Sequence, residues 1–125
     1  MLRITFHIIN ILLILFYLFP ASILGCLFYN NCNTQPNITN DFIISSNHFF
    51  AFLILGIISF YSYTKQLNKI IVYTFSISII LELLHLFIPN RSFELKDLFG
   101  NIIGIIISFI IYNILKKINF GGKNQ

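Results

Sequence analysis

Glu82 and His85 stand three residues apart in one apolar run, and Asp97 and Asn101 stand four apart in the next. On a helix, either spacing puts both side chains on one face. His48 opens an earlier apolar run, and Arg91 lies in the link between Glu82 and Asp97. Carboxylates and imidazoles can exchange protons with a bound substrate. A guanidinium can hold a phosphate or carboxylate through paired N–H donors. The candidates for catalysis are therefore His48, Glu82, His85 and Asp97, with Arg91 and Asn101 as candidates for substrate binding. Their surroundings make them informative, because an ionisable group at the centre of a membrane helix costs about 2.5–3.5 kcal/mol. A chain keeps such groups where they meet partners. For each residue alone a structural role competes: Arg91 could pair with Glu82 or Asp97, and Asn101 could join helices by hydrogen bonds.

No metal ligand set and no cofactor are expected. Glu82-x-x-His85 has the spacing of carboxylate-bridged di-metal bundles, but those need the motif twice with further glutamates, and it occurs once. Cys26 and Cys32 lack the paired Cys and His partners that zinc usually takes. Two unpaired thiols are the expectation, and a disulfide would need both to face an oxidising side. His7 falls near the far end of the first apolar run and is expected to have no role. Tyr29, Tyr61, Tyr63 and Tyr112 lie near run ends and read as interfacial anchors.

The elements that must position these residues are membrane helices. Of 125 residues, 57% are hydrophobic and 10% are charged, against about 25% charged in a soluble domain. So few charges cannot coat a water-facing surface. The fold class expected is an all-α integral membrane bundle of about four transmembrane helices, forming one domain over residues 1–125. The spans fall at about 4–28, 42–63, 70–88 and 98–115, near the roughly 20 residues that cross a hydrocarbon core. Pro20 interrupts the first, which could stop near Phe19. Residues 30–40 form a polar loop, and Asn37-Ile38-Thr39 would be a glycosylation sequon only in a eukaryotic secretory pathway.

With four spans, Arg3, Lys65, Lys69, Lys116, Lys117 and Lys123 share a side, and Arg91 and Lys96 take the other. The first side, with both termini, is expected to be cytoplasmic. The net charge of +4 thus reads as topology, and the scattered lysines and arginines exclude nucleic-acid binding. Ile23-Leu24-Gly25-Cys26 loosely resembles a lipoprotein cleavage box, with a bulky Leu24. A retained first helix already explains the charge pattern and is expected instead. Gly100, Gly104 and Ser108 form a small-residue row of the kind that lets membrane helices approach closely. The third span is expected to pack there, and the same row could pair two copies of the chain.

The run from Glu82 through His85, Pro89, Arg91 and Asp97 to Asn101 and Gly104 resembles the hallmark of the VanZ-like family: Glu-x-x-Gln, a Pro and an Arg, then Asp-x-x-x-Asn-x-x-Gly. The stretch from His48 to Phe52, ending at Leu55-Gly56, and the first span ending at Phe19-Pro20 resemble it too. His85 replaces the family's usual Gln, and Ile44 and Ser45 stand where an Asp-Lys pair is common. The resemblance implies a multi-span protein of the cell envelope, in a family whose founding member is associated with resistance to the glycopeptide teicoplanin. It supplies no reaction. Two functions follow as expectations. One is an outward-facing site for a membrane lipid or lipid-linked wall precursor, with His48 or Glu82 as general base. The other is a non-enzymatic interaction module using the GxxxG surface. Transport is disfavoured, because paired halves with broken helices are missing.

Overall fold

The computed structural model describes residues 1–121, with side chains through residue 119, so Lys123 lies outside the described residues. The described chain is helical, with no strand. Helix α1 spans Leu2–Leu18, α2 Ile23–Tyr29, α3 Ser46–Ser62, α4 Leu67–Leu84 and α5 Leu95–Gly121, with a 3-10 turn over Thr64–Gln66 before α4.

Local chemistry sets the breaks. Phe19 is extended, with φ −69° and ψ 130°, as a residue before proline prefers. The chain restarts where the Ser22 hydroxyl accepts from Gly25 N–H at 2.9 Å, a side-chain N-cap. The expected first span is therefore two helices, α1 and α2, meeting at 85°. Asn30 closes α2 with φ 49°, which asparagine tolerates. That turn folds Cys32 back to Cys26, and the two form a disulfide with Cα atoms 4.2 Å apart, correcting the expectation of free thiols. Helix α3 begins at Ser46, and the residues before it serve as its cap: the Asp41 carboxylate accepts from Ser46 N–H at 2.9 Å. Helix α4 ends at Leu84 and not Ile88, as Leu86 and Phe87 bond back to Leu83 and Leu84 in tight turns.

Two helices, Thr64–Leu84 and Leu95–Asn119, are long and apolar enough to cross a membrane, or three if the bent α1–α2 pair counts as one. Helix α3, with 17 residues, is about 26 Å long, just short of a hydrocarbon core of about 30 Å. Large apolar side chains such as Ile8, Leu15, Val72, Ile80 and Ile118 point outward, the reverse of a water-soluble domain. The chain is a helical membrane protein.

The helices alternate in direction, and the tightest pair is α3 with α5, which run parallel. A Cβ on Gly100 would lie 2.8 Å from the Ser45 carbonyl oxygen, and one on Gly104 would lie 3.0 Å from Leu53 N. Gly56 of α3 faces the Ser108 side chain. The glycine row thus receives α3, not the expected third span (α4), and it is covered within one chain. Backbones come this close because small residues leave no side chain between them. The buried hydroxyls of Ser59, Thr74, Ser78 and Ser108 bond carbonyls three residues back in their own helices, so none needs a partner across the interface. Phe52, Leu55, Phe60 and Ile105 fill the core. Tyr112, expected at the interface, is buried with them at 1% exposure. Near its ring, Lys116 lies over the aromatic face.

Candidate functional site

One end of the bundle gathers the polar residues. His48 lies in the first turn of α3, Glu82 in the last turn of α4 and His85 just past it, and Asp97 and Asn101 open α5. Antiparallel neighbours put the start of α3 beside the end of α4, and the parallel α3–α5 contact adds the start of α5. The His48 ring lies between two carboxylates: Nδ1 is 3.8 Å from Glu82 Oε2 and Nε2 is 3.5 Å from Asp97 Oδ2. His85 Nδ1 is 3.5 Å from the other glutamate oxygen, Oε1. Glu94 N–H donates to that same Oε1 at 3.1 Å.

Tyr17 of α1 completes the group. Its hydroxyl donates to Asn101 Oδ1 at 2.6 Å, while Asn101 Nδ2 donates to the Ser78 carbonyl at 3.4 Å. With its single hydrogen given to Asn101, the Tyr17 oxygen accepts from His48 Nδ1 at 2.8 Å. This chain sets the imidazole tautomer and leaves the Nε2 lone pair of a neutral ring toward Asp97. The Tyr17 carbonyl takes His85 Nε2 at 3.1 Å, and the two rings stack 5.5 Å apart. One residue thus holds both histidines.

Tyr17 does not stand out in the sequence, although one signal exists. Phe6, Asn10, Leu13 and Tyr17 recur at helical spacing and are the buried residues of α1, so α1 turns two polar side chains inward. Asn10 bonds the Tyr73 hydroxyl in the same way.

The structure brings together five of the six candidates: His48, Glu82, His85, Asp97 and Asn101. Arg91 lies beside them and pairs with neither carboxylate. Its guanidinium donates to the carbonyls of Phe16, Phe19 and Ala21 at 3.4, 3.3 and 2.9 Å. These are carbonyls that the end of α1 leaves free, where a cation also favours the helix dipole. Lys96 binds Glu94 at 3.2 Å and Asp41 at 3.8 Å. His7 sits at the opposite end of the bundle, 3.0 Å from the Tyr63 hydroxyl, with Arg3 over the same ring.

A cavity of about 400 Å³ opens beside the cluster. Its lining includes His48, His85 and Arg91 together with Phe16, Leu24, Phe50 and Ile54. Glu82, Asp97 and Asn101 do not line it. Three side chains could hold a metal ion: one donor atom from each of His48, Glu82 and Asp97 lies within 4.8 Å of the other two.

The sequence model of the family described as VanZ/LLP1 matches residues 4–116. No curated protein and no solved structure matches the chain.

Proposed function

This chain belongs to the VanZ/LLP1 family, and from that premise we propose that it is a multi-pass plasma-membrane protein that binds the headgroup of an amphipathic envelope lipid, or of a lipid-linked wall precursor, at the His48 cluster. The observation that carries this reading is the cavity, whose wall combines many apolar side chains with a few polar and ionisable ones. Acyl or isoprenoid chain suits Phe16, Leu24, Phe50 and Ile54, and a polar headgroup suits His48, His85 and the remaining N–H groups of Arg91. Mostly apolar walls with a few placed polar groups are the usual make-up of a ligand site.

Within that site His48 Nε2 is the general base. Tyr17 holds the opposite ring nitrogen and orients the imidazole, and Asp97 stabilises the charge the ring gains on taking a proton. Glu82, enclosed behind both histidines, contributes negative charge at a distance from the substrate. Through its family, the protein acts in resistance to envelope-directed glycopeptides such as teicoplanin. The chain crosses the membrane four times, with Arg3, Lys65, Lys69, Lys116 and Lys117 on the cytoplasmic side and the cluster outside. The disulfide at the cluster's end supports that orientation, because disulfides persist on oxidising sides of membranes. The interaction-module reading has less support, as the glycine row is occupied by α3.

The test is to fill the cavity without touching the cluster. Ala51 lines it, and Ala51→Phe would take up its apolar part. Native mass spectrometry of detergent-purified protein should find bound envelope lipid on the wild type and little on Ala51→Phe, with glycopeptide tolerance of the host lost in parallel. Equal lipid retention and equal tolerance in a correctly inserted Ala51→Phe protein would reject the proposal.

A further inference from the structure

Within the cluster, negative charge and lone pairs outnumber the hydrogens available to them. Glu82 has 0% side-chain exposure, and its Oε2 has no hydrogen-bond partner. An unsatisfied buried polar atom costs about 1–3 kcal/mol, more when charged. The nearest ring nitrogen, His48 Nδ1 at 3.8 Å, gives its hydrogen to Tyr17. Glu94 N–H serves the other oxygen, Oε1, while His85 Nδ1, 3.5 Å from it, has no hydrogen to give when the neutral ring donates Nε2–H to the Tyr17 carbonyl. Asp97 brings a second carboxylate to 3.5 Å from His48 Nε2. The two nearby cations are engaged elsewhere: Arg91 on the end of α1 and Lys96 on Asp41 and Glu94.

We infer that this acceptor-rich pocket binds a divalent transition-metal ion, zinc or manganese, through His48 Nε2 and one carboxylate oxygen each from Glu82 and Asp97. One imidazole and two carboxylates suit these ions, and the two negative charges balance the ion's. One donor atom from each of the three side chains lies within 4.8 Å of the other two, and small rotations of the three side chains would close the set to bonds of about 2.0–2.2 Å. Each buried ligand already has an orienting partner, as metal sites require. Tyr17, backed by Asn101, fixes the His48 tautomer, and Glu94 N–H holds Glu82 Oε1 so that Oε2 is free. Three protein ligands leave a coordination position for water or an anionic oxygen, which on the headgroup reading would be a phosphate oxygen. That last point rests on the headgroup reading, while the ligand assignment does not; an ion on Nε2 occupies the lone pair that the general-base role uses, so in the loaded site headgroup binding carries over and proton abstraction by His48 does not.

The experiment uses the full chain in detergent, stripped with chelator, reloaded separately with zinc and manganese, and passed through gel filtration before elemental analysis. Stoichiometric retention by the wild type is expected, with loss in His48→Ala, Glu82→Gln and Asp97→Asn and none in His7→Ala. Helical content by circular dichroism confirms that each variant is folded. Tyr17→Phe keeps every ligand and should weaken affinity about ten- to hundredfold through the freed ring. A wild type that retains no ion, or folded ligand variants that retain it equally, would overturn the inference. Native mass spectrometry of bound lipid on the same samples separates the two proposals: lipid without metal rejects only the ion, and metal without lipid rejects only the headgroup reading.

Discussion

At the scale of single residues, Tyr17 and Arg91 have changed places in importance. Tyr17, a phenol among many aromatics, joins α1 to α3 and α5 through two hydrogen bonds of one hydroxyl. Interhelical hydrogen bonds in membranes are worth about 0.6–2 kcal/mol. Tyr17→Phe should therefore lower unfolding stability in detergent by that amount, and a double-mutant cycle with Asn101→Ala should show the two effects to be coupled. No coupling would mean that the Tyr17–Asn101 bond does not form. Arg91, the residue a chemist would choose first for an anion, ties the link before α5 to the end of α1. Arg91→Ala should destabilise by about 1–3 kcal/mol, measured by thermal unfolding. Arg91→Lys should recover part of that, because one ammonium cannot span three carbonyls. Full stability of Arg91→Ala would show those bonds to be idle.

At the scale of helices, the site depends on how closely α3 approaches α5. Both begin at the cluster and run the same way, and Gly104 faces Phe49, the neighbour of His48, so a shift there moves His48 relative to Asp97. Gly104→Ala would push a methyl group against the Phe49 carbonyl and Leu53 N–H, which are backbone atoms that cannot rotate aside. Overpacking of this kind costs about 1–3 kcal/mol. The expected result is lower thermal stability together with loss of site function, even though no site residue has changed. Unaltered stability would show that the helices are not in contact there. A glycine substitution that abolishes function therefore does not identify a partner-binding surface in this protein.

At the scale of the whole molecule, the two ends of the bundle differ in kind. One collects Arg3, Tyr63, His7 and the basic residues near Tyr112, and the other holds the cluster, the disulfide and the cavity. The opposite-side assignment predicts a labelling pattern. With Cys26 and Cys32 replaced by serine, a membrane-impermeant maleimide should label Asn33→Cys on intact cells and Lys65→Cys only after permeabilisation. Labelling of Lys65→Cys on intact cells would invert the orientation. In the unmodified protein, alkylation should add mass only after reduction, because both cysteines are in the disulfide.

Composition and apolar run length by themselves determined that this chain is helical and lives in a membrane, since a surface so poor in charge has no other solvent. Spacing along single helices paired Glu82 with His85 and Asp97 with Asn101, because a helix repeats every 3.6 residues or so. Pro20 marked the break after Phe19, because proline restricts the residue before it. What lies between helices was decided only by tertiary structure. The glycine row could have received any neighbour, and only packing chose α3. The disulfide needed the Asn30 turn, and Arg91 pairs with neither Glu82 nor Asp97 because the carbonyls at the end of α1 came within its reach. The set His48, Glu82 and Asp97 comes from three helices separated by loops, so no local spacing could announce it.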